Sequence, residues 1–167
     1  EGVVCKEIDK PSEVWTLIRE VLAGHHDAKP VHNESEIDYL KDYIELQLIR
    51  TDRSLDFSFV EKGNYENLKI APFILIVFIE NAFKYVGGDY WIQIDARLEK
   101  GNRMTLEVRN SIPANTVNNS KKGIGLENLQ RQLELLYAGK HKLQYIKSNG
   151  TYVAHMEIEL VKKTTIG

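Results

Sequence analysis

Cysteine is almost absent. Cys5 is the single one in 167 residues, which excludes an internal disulfide and any zinc site built on several thiolates. So little cysteine fits a reducing compartment. No apolar run approaches the roughly 18 residues of a membrane span, and the longest, 70–79, is interrupted by Pro72. No signal peptide opens the chain, and neither Met104 nor Met156 stands at its start, so a piece of something longer is expected. An excess of either charge is missing too. With 22 basic and 24 acidic residues the net charge is −2, which leaves no electrostatic footprint for nucleic acid. There is no internal repeat and no low-complexity tract.

What is present is globular material. Apolar residues make up 43% and charged residues 28%, which excludes a disordered chain. A chain of this length buries roughly 68–70% of its unfolded surface, enough for one full core. One domain is expected over 31–167, with 1–30 as a helical appendage and linker. In that appendage Val14, Leu17, Ile18, Val21 and Leu22 recur at helical spacing over 12–23, after Pro11 and before Gly24. Asn33 followed by Glu36 resembles a capping box. It opens a helix to about residue 50 with Ile37, Leu40, Ile44 and Leu48 on one face.

Leu55, Phe57 and Phe59 alternate as a half-buried strand, and 62–69 reads as a polar loop. Pro72 suits a first helical turn, and 73–86 follows as a helix apolar nearly all round, stopped by Gly87 and Gly88. Strands over 92–98 and 104–108 flank a Gly101–Asn102 turn. Residues 111–122 are polar and aperiodic, a loop of a length that is often functional. A helix over 123–137 points Leu126, Leu129, Leu133 and Leu136 inward, and Gly139 caps it. Strands over 142–147 and 151–160 enclose Asn149–Gly150, a strong hairpin signal. Hairpins exclude an all-parallel sheet. The expected class is α+β: a two-layer sandwich in which helices cover one face of a mixed sheet of about five strands.

Three polar features stand out from this apolar plan. On the 73–86 helix Glu80, Asn81 and Lys84 fall within a sector of roughly 100°. An exposed edge with an i,i+4 ion pair explains them. A Mg²⁺ and phosphate site also explains them, and better, with a carboxylate for water, an amide oxygen for the metal and an ammonium for phosphate. Asn110 is in phase with Met104, Leu106 and Val108, so its amide faces the core and needs a partner, either the following turn or a buried heterocycle such as adenine. Lys121-Lys122-Gly123-Ile124-Gly125-Leu126 brings two glycines to a helix start, where free N–H groups meet an anion. It is neither a P-loop nor a dinucleotide fingerprint.

In this order and at these intervals the three features resemble the ATP-binding fold of histidine kinases, type II topoisomerase ATPase subunits, Hsp90 and MutL, the GHKL or Bergerat superfamily. Glu80-Asn81-Ala82-Phe83-Lys84-Tyr85 looks like its N box, Val108-Arg109-Asn110-Ser111 like the start of its first glycine box, and Gly123-Ile124-Gly125-Leu126 like its second. Residues 111–122 correspond to the ATP lid. The segments 36–50 and 123–137 are closer still to sensor histidine kinases of the LytS type, and the resemblance spans about 12–160.

The resemblance implies ATP and Mg²⁺ as cofactors. Asn81 would hold the metal, and Glu80 would polarise a metal-bound water. Lys84 and Lys122 would meet phosphate, and Tyr85 would lie near the nucleotide. Asn110 would accept from the adenine amino group. Gly123 and Gly125, with Leu126 beside them, would let backbone approach the phosphates, and Asn128 and Arg131 would stand at the phosphate end. It further implies transfer of the γ-phosphate to a histidine on a dimerisation segment and relay to a response regulator. The parent would be a homodimer anchored in the bacterial inner membrane, with this domain cytoplasmic and itself free of membrane contact.

Two departures matter. The first glycine box continues as Ile112-Pro113-Ala114, without the family's aspartate or glycines, so the bond to adenine lacks charge. Val77 stands where related N boxes carry a polar side chain. The family's acceptor histidine, in a Pro-His-Phe context, does not occur. His25, His26, His32, His141 and His155 lack that context and metal-ligand spacing. Two other functions share this pattern: an ATP-hydrolysing relative that drives a conformational cycle, and an interaction module whose nucleotide pocket has decayed.

Overall fold

The computed structural model describes residues 33–51, 54–65, 67–114 and 124–162. The expected helix over 12–23, the linker with His25 and His26, His32, and the lid residues 115–122 with Lys122 and the following Gly123 lie outside the described residues.

Helix α1, Asn33–Arg50, buries Ile37, Leu40, Tyr43 and Ile44, the face its periodicity marks, with Leu48 half-buried at its end. Thr51 closes it by donating its hydroxyl to the Gln47 carbonyl at 2.6 Å. Glu36 is not spent on a capping box. Its carboxylate is buried and accepts the backbone N–H groups of Phe73 and Leu75, far along the chain. Strand β1, Asp56–Lys62, follows. The expected loop over 62–69 contains a short strand, β2, Leu68–Lys69.

Helix α2, Ile74–Tyr85, starts just after Pro72 and Phe73 rather than at them. Phe73 takes a left-handed φ of 64°, which breaks the helix on its N-terminal side. The apolar run then buries Ile74, Leu75, Ile76, Phe78, Ile79 and Ala82. Phe83 stacks on Phe57 of β1, with centroids 6.0 Å apart.

Strands β3, Trp91–Glu99, and β4, Arg103–Ser111, form a hairpin whose turn residues Gly101 and Asn102 both have positive φ, as glycine and asparagine tolerate. Helix α3, Ile124–Leu136, buries Leu129 and Leu133. The inward stripe then passes to Tyr137, and Leu136, expected inside, is exposed. At 100° per residue Leu136 lies as close to the Leu129–Leu133 stripe as Tyr137 does, so the difference comes from what the helix end meets: the Tyr137 hydroxyl accepts the Ala71 N–H at 2.8 Å. Strands β5, His141–Ser148, and β6, Thr151–Glu159, close on the Asn149–Gly150 turn, again with positive φ at both residues. Strand β7, Val161–Lys162, pairs antiparallel with β2.

The main sheet has the order β1-β3-β4-β6-β5. Strand β1 runs parallel to β3, with α2 as the crossover that parallel pairing requires, and the other neighbours are antiparallel. The fold is thus α+β with a mixed five-strand sheet. One sheet face is buried through Ile92, Ile94 and Ala96 on β3, Met104, Leu106 and Val108 on β4, and Ala154, Met156 and Ile158 on β6. The other face is charged. Arg97 pairs with Asp95, Arg109 with Glu107, and Lys142 with Glu157, while His155 lies 3.4 Å from both Glu107 and Glu157.

Candidate functional site

Three chain segments meet where α2 ends. Val86 N–H donates to Ala82 O at 2.9 Å, closing the helix, and Gly87 N–H donates to Ser111 O at 3.0 Å. Ile112 N–H donates to Gly150 O at 2.8 Å, which brings the tip of the β5–β6 hairpin to the same place. The two glycines after α2 are needed for this approach. A Cβ at Gly87 would lie 2.9 Å from the Pro113 ring, and one at Gly88, whose φ is +67°, would lie 3.1 Å from Ile112 O. The C-terminal half of α2 is therefore held against the end of β4.

The end of β4 carries Asn110, 1% exposed, on the buried face as its phase with Val108 predicts. Its Nδ2 donates to Ser111 O at 3.1 Å. That bond fixes the rotation of the amide and leaves Oδ1 as an acceptor. Across the sheet Asn110 stands between Ile92 and Tyr152. Tyr152 stacks on Tyr145 with centroids 6.2 Å apart. Burial pushes the Tyr152 hydroxyl up to about 12, with a smaller push from Tyr85. Burial raises that of Tyr145 further, and its oxygen has no hydrogen-bond partner.

On α2 the expected stripe is present. Glu80 and Asn81 are half-buried, and Lys84 is exposed. The Lys84 ammonium lies 5.3 Å from the centroid of the Tyr85 ring, which is itself 53% exposed. Asn81 Nδ2 is buried without a partner. A buried amide nitrogen left unserved costs on the order of 1–3 kcal/mol, so it needs an explanation outside the protein's own atoms.

Helix α3 packs against α2 and supplies the remaining candidates. Gly125, in its first turn, has open space where a Cβ would be. Leu126 is half-buried, and Asn128 and Arg131 are exposed. The structure thus brings Asn81, Lys84, Tyr85 and Asn110 to one end of the fold, with Gly125 at the start of a neighbouring helix. Tyr152 and the Gly87–Gly88 seam were not singled out from sequence. The alternation of β6 places residue 152 in phase with Ala154, but the neighbour that gives it meaning, Asn110, is set by strand pairing. Ser111, expected to begin the lid, is buried as the last residue of β4, and its Oγ accepts the Trp91 N–H at 2.9 Å. A concavity of about 560 Å³ lies elsewhere, on the open sheet face. It is lined by charges that pair with one another, and none of the residues above belongs to it.

No protein-family profile and no characterised protein sequence matches the chain. Solved structures do. The catalytic domain of histidine kinase ThkA, in a nucleotide-free form, superimposes with a TM-score of 0.57 at 18% identity, over 78% of this chain and 94% of that one. Histidine kinase AdeS of Acinetobacter baumannii gives 0.56 at 14%, over 87% and 76%. Full-length ShkA, solved in complex with AMPPNP, gives 0.59 at 15%, over 92% and 37%. At such identities the likeness establishes the fold: the mixed sheet and its helices are arranged as in the catalytic domains of histidine kinases.

Proposed function

We propose that the chain is the ATP-binding catalytic domain of a sensor histidine kinase of the LytS type. It would bind ATP with Mg²⁺ and offer the γ-phosphate to a histidine on a dimerisation segment, for relay to a response regulator. The parent would be a homodimeric protein of the inner membrane with this domain on the cytoplasmic side. The observation that carries the reading is Asn81, whose buried amide nitrogen has no protein partner and so is left as a donor for a ligand oxygen, on the helix whose end is held beside the buried Asn110.

The residues suit the ligand. Asn110 Nδ2 is engaged by Ser111, so Oδ1 is the atom that accepts from a base amino group. Tyr152 beside Asn110 and Tyr85 at the end of α2 supply apolar walls for a base. Glu80 and Asn81 form a sparse oxygen set, one carboxylate and one amide, as Mg²⁺ takes when phosphates and water complete its shell. When bound, the ion neutralises phosphate charge, and the rest of catalysis is positioning. Lys84 adds an exposed cation on the same helix. Gly125 leaves room for phosphate beside the first turn of α3.

The test is calorimetry of the whole chain with ATP, with and without Mg²⁺. Wild type is expected to bind with Mg²⁺ dependence. Asn81→Ala is expected to lose that dependence and to weaken ATP more than adenosine. Equal ATP binding by the two proteins refutes the assignment. A second reading, an interaction module without nucleotide, draws on one feature: Ile112 is buried and Pro113 packs against Gly87 where the superfamily has a glycine box. Absence of ATP binding by wild type favours it.

A further inference from the structure

Glu36 is the only fully buried charged residue among the described residues, at 1% exposure. It lies on α1, away from the polar stripe, and no step of the proposed function uses it. Its carboxylate accepts the N–H groups of Phe73 and Leu75, and its Oε1 has no partner. Those two donors belong to the entry of α2. There Phe73 holds a left-handed φ of 64° with no side-chain cap of its own, and a bulky residue stays in that region only when its surroundings hold it.

A second tie reaches the same entry. Ala71 N–H donates to the Tyr137 hydroxyl, just beyond α3, at 2.8 Å. Burial raises the Tyr137 hydroxyl, with a smaller push from the nearby Glu36. Helices α1 and α3 thus both grip the backbone immediately before α2.

A helix transmits such a grip. Asn81 lies about 9 Å further along the axis from Leu75 at ~1.5 Å per residue. At a side-chain radius of about 5 Å, a rotation of roughly 10° displaces the Asn81 amide by about 1 Å. A misplacement of that size is costly where a ligand must be held in line. A buried carboxylate is a poor way merely to fill this space, because an apolar side chain of the same volume is often as stable or more so.

We propose that Glu36 is a positioning residue: by holding the N-terminal turn of α2 it sets the rotation of the helix and so the place of Glu80, Asn81 and Lys84. Its effect on ligand binding rests on the reading of that stripe as a nucleotide site. Its effect on Asn81 does not.

The experiment compares wild type, Glu36→Gln and Glu36→Met in the full chain by two measurements. These are Mg²⁺-dependent ATP affinity and the side-chain amide resonances of Asn81 in ¹H–¹⁵N spectra without ligand. Glu36→Met, which keeps the volume, is expected to stay folded, shift the Asn81 resonances and lose about tenfold in affinity. Glu36→Gln keeps an acceptor oxygen and is expected to restore both. If wild type binds no nucleotide, the functional reading fails and the resonances alone decide. Unmoved Asn81 resonances in folded Glu36→Met overturn the proposal, as does wild-type affinity in that variant. Should Glu36→Met not fold, Glu36→Asp, one methylene shorter, takes its place. A folded Glu36→Asp with unmoved resonances overturns the proposal equally.

Discussion

At the scale of single residues, burial decides how Glu36 behaves. Desolvation pushes its carboxyl from 4.5 up to about 7, against the lowering effect of the Phe73 and Leu75 N–H groups. The folded chain therefore keeps this proton to higher pH than the unfolded chain. Its contribution to stability is full below about pH 4.5 and is lost as pH rises to about 7, by on the order of 3 kcal/mol at most. Asp95 and Glu157 have the opposite sign, since Arg97 and His155 respectively lower them, so their contribution is lost only as pH falls below the ordinary carboxylate range. The melting temperature of wild type minus that of Glu36→Gln is expected to fall between pH 5 and 7.5. A difference that is flat across this range contradicts the assigned burial. Asn110 shows the other outcome of burial: it is uncharged and its amide is engaged, so it stays in the core without titrating.

At the scale of elements, α2 and α3 divide the work. Helix α2 is apolar enough to be buried on most sides and keeps one polar stripe, so the core holds the helix in place while the Glu36 contacts at its entry bear on its rotation. Helix α3 is amphipathic, with Leu129 and Leu133 inside and a glycine in its first turn. Glycine in a helix costs roughly 0.5–1 kcal/mol relative to alanine, and the open space around Gly125 means no packing requires it. Gly125→Ala is therefore expected to raise stability by that amount, seen as a higher urea midpoint, while weakening ATP binding several-fold. A gain in stability with unchanged ATP affinity would remove Gly125 from the site. Gly87 and Gly88 behave differently, because Pro113 and Ile112 O fill the space where side chains would stand.

At the scale of the whole molecule, the sheet presents one buried and one charged face, and α2, β4 and the β5–β6 hairpin converge where the candidate residue Asn110 is buried. Among the described residues neither histidine is placed to take a phosphoryl group there. His141 bonds the Tyr137 carbonyl at 2.8 Å, and His155 lies among carboxylates on the open sheet face. Phosphoryl transfer needs an imidazole in line with the γ-phosphate. With labelled ATP the chain alone is expected to stay unlabelled, and a supplied dimerisation segment carrying its histidine is expected to take label that disappears with Asn81→Ala. Acid-labile label on the chain alone, lost in His25→Ala or His26→Ala, shows the acceptor to be internal.

By itself the sequence determined the helices over 33–50 and, to within a residue at each end, 73–86, both hairpin turns, and the phases that put Asn110 inside and Glu80, Asn81 and Lys84 on one stripe. Each of these depends on residues a few positions apart, where period and turn chemistry act directly. Tertiary structure alone decided the rest. The β2–β7 pair is two residues long on each side and too short to show a period. The exposure of Leu136 and burial of Tyr137 depend on what α3 meets, not on its own pattern. Tyr152 gained its place beside Asn110 from strand order, and Glu36 left its own helix to serve the start of another. These are contacts between segments distant in the chain, and what sets them is the burial and hydrogen bonding of the assembled core, which no local stretch encodes.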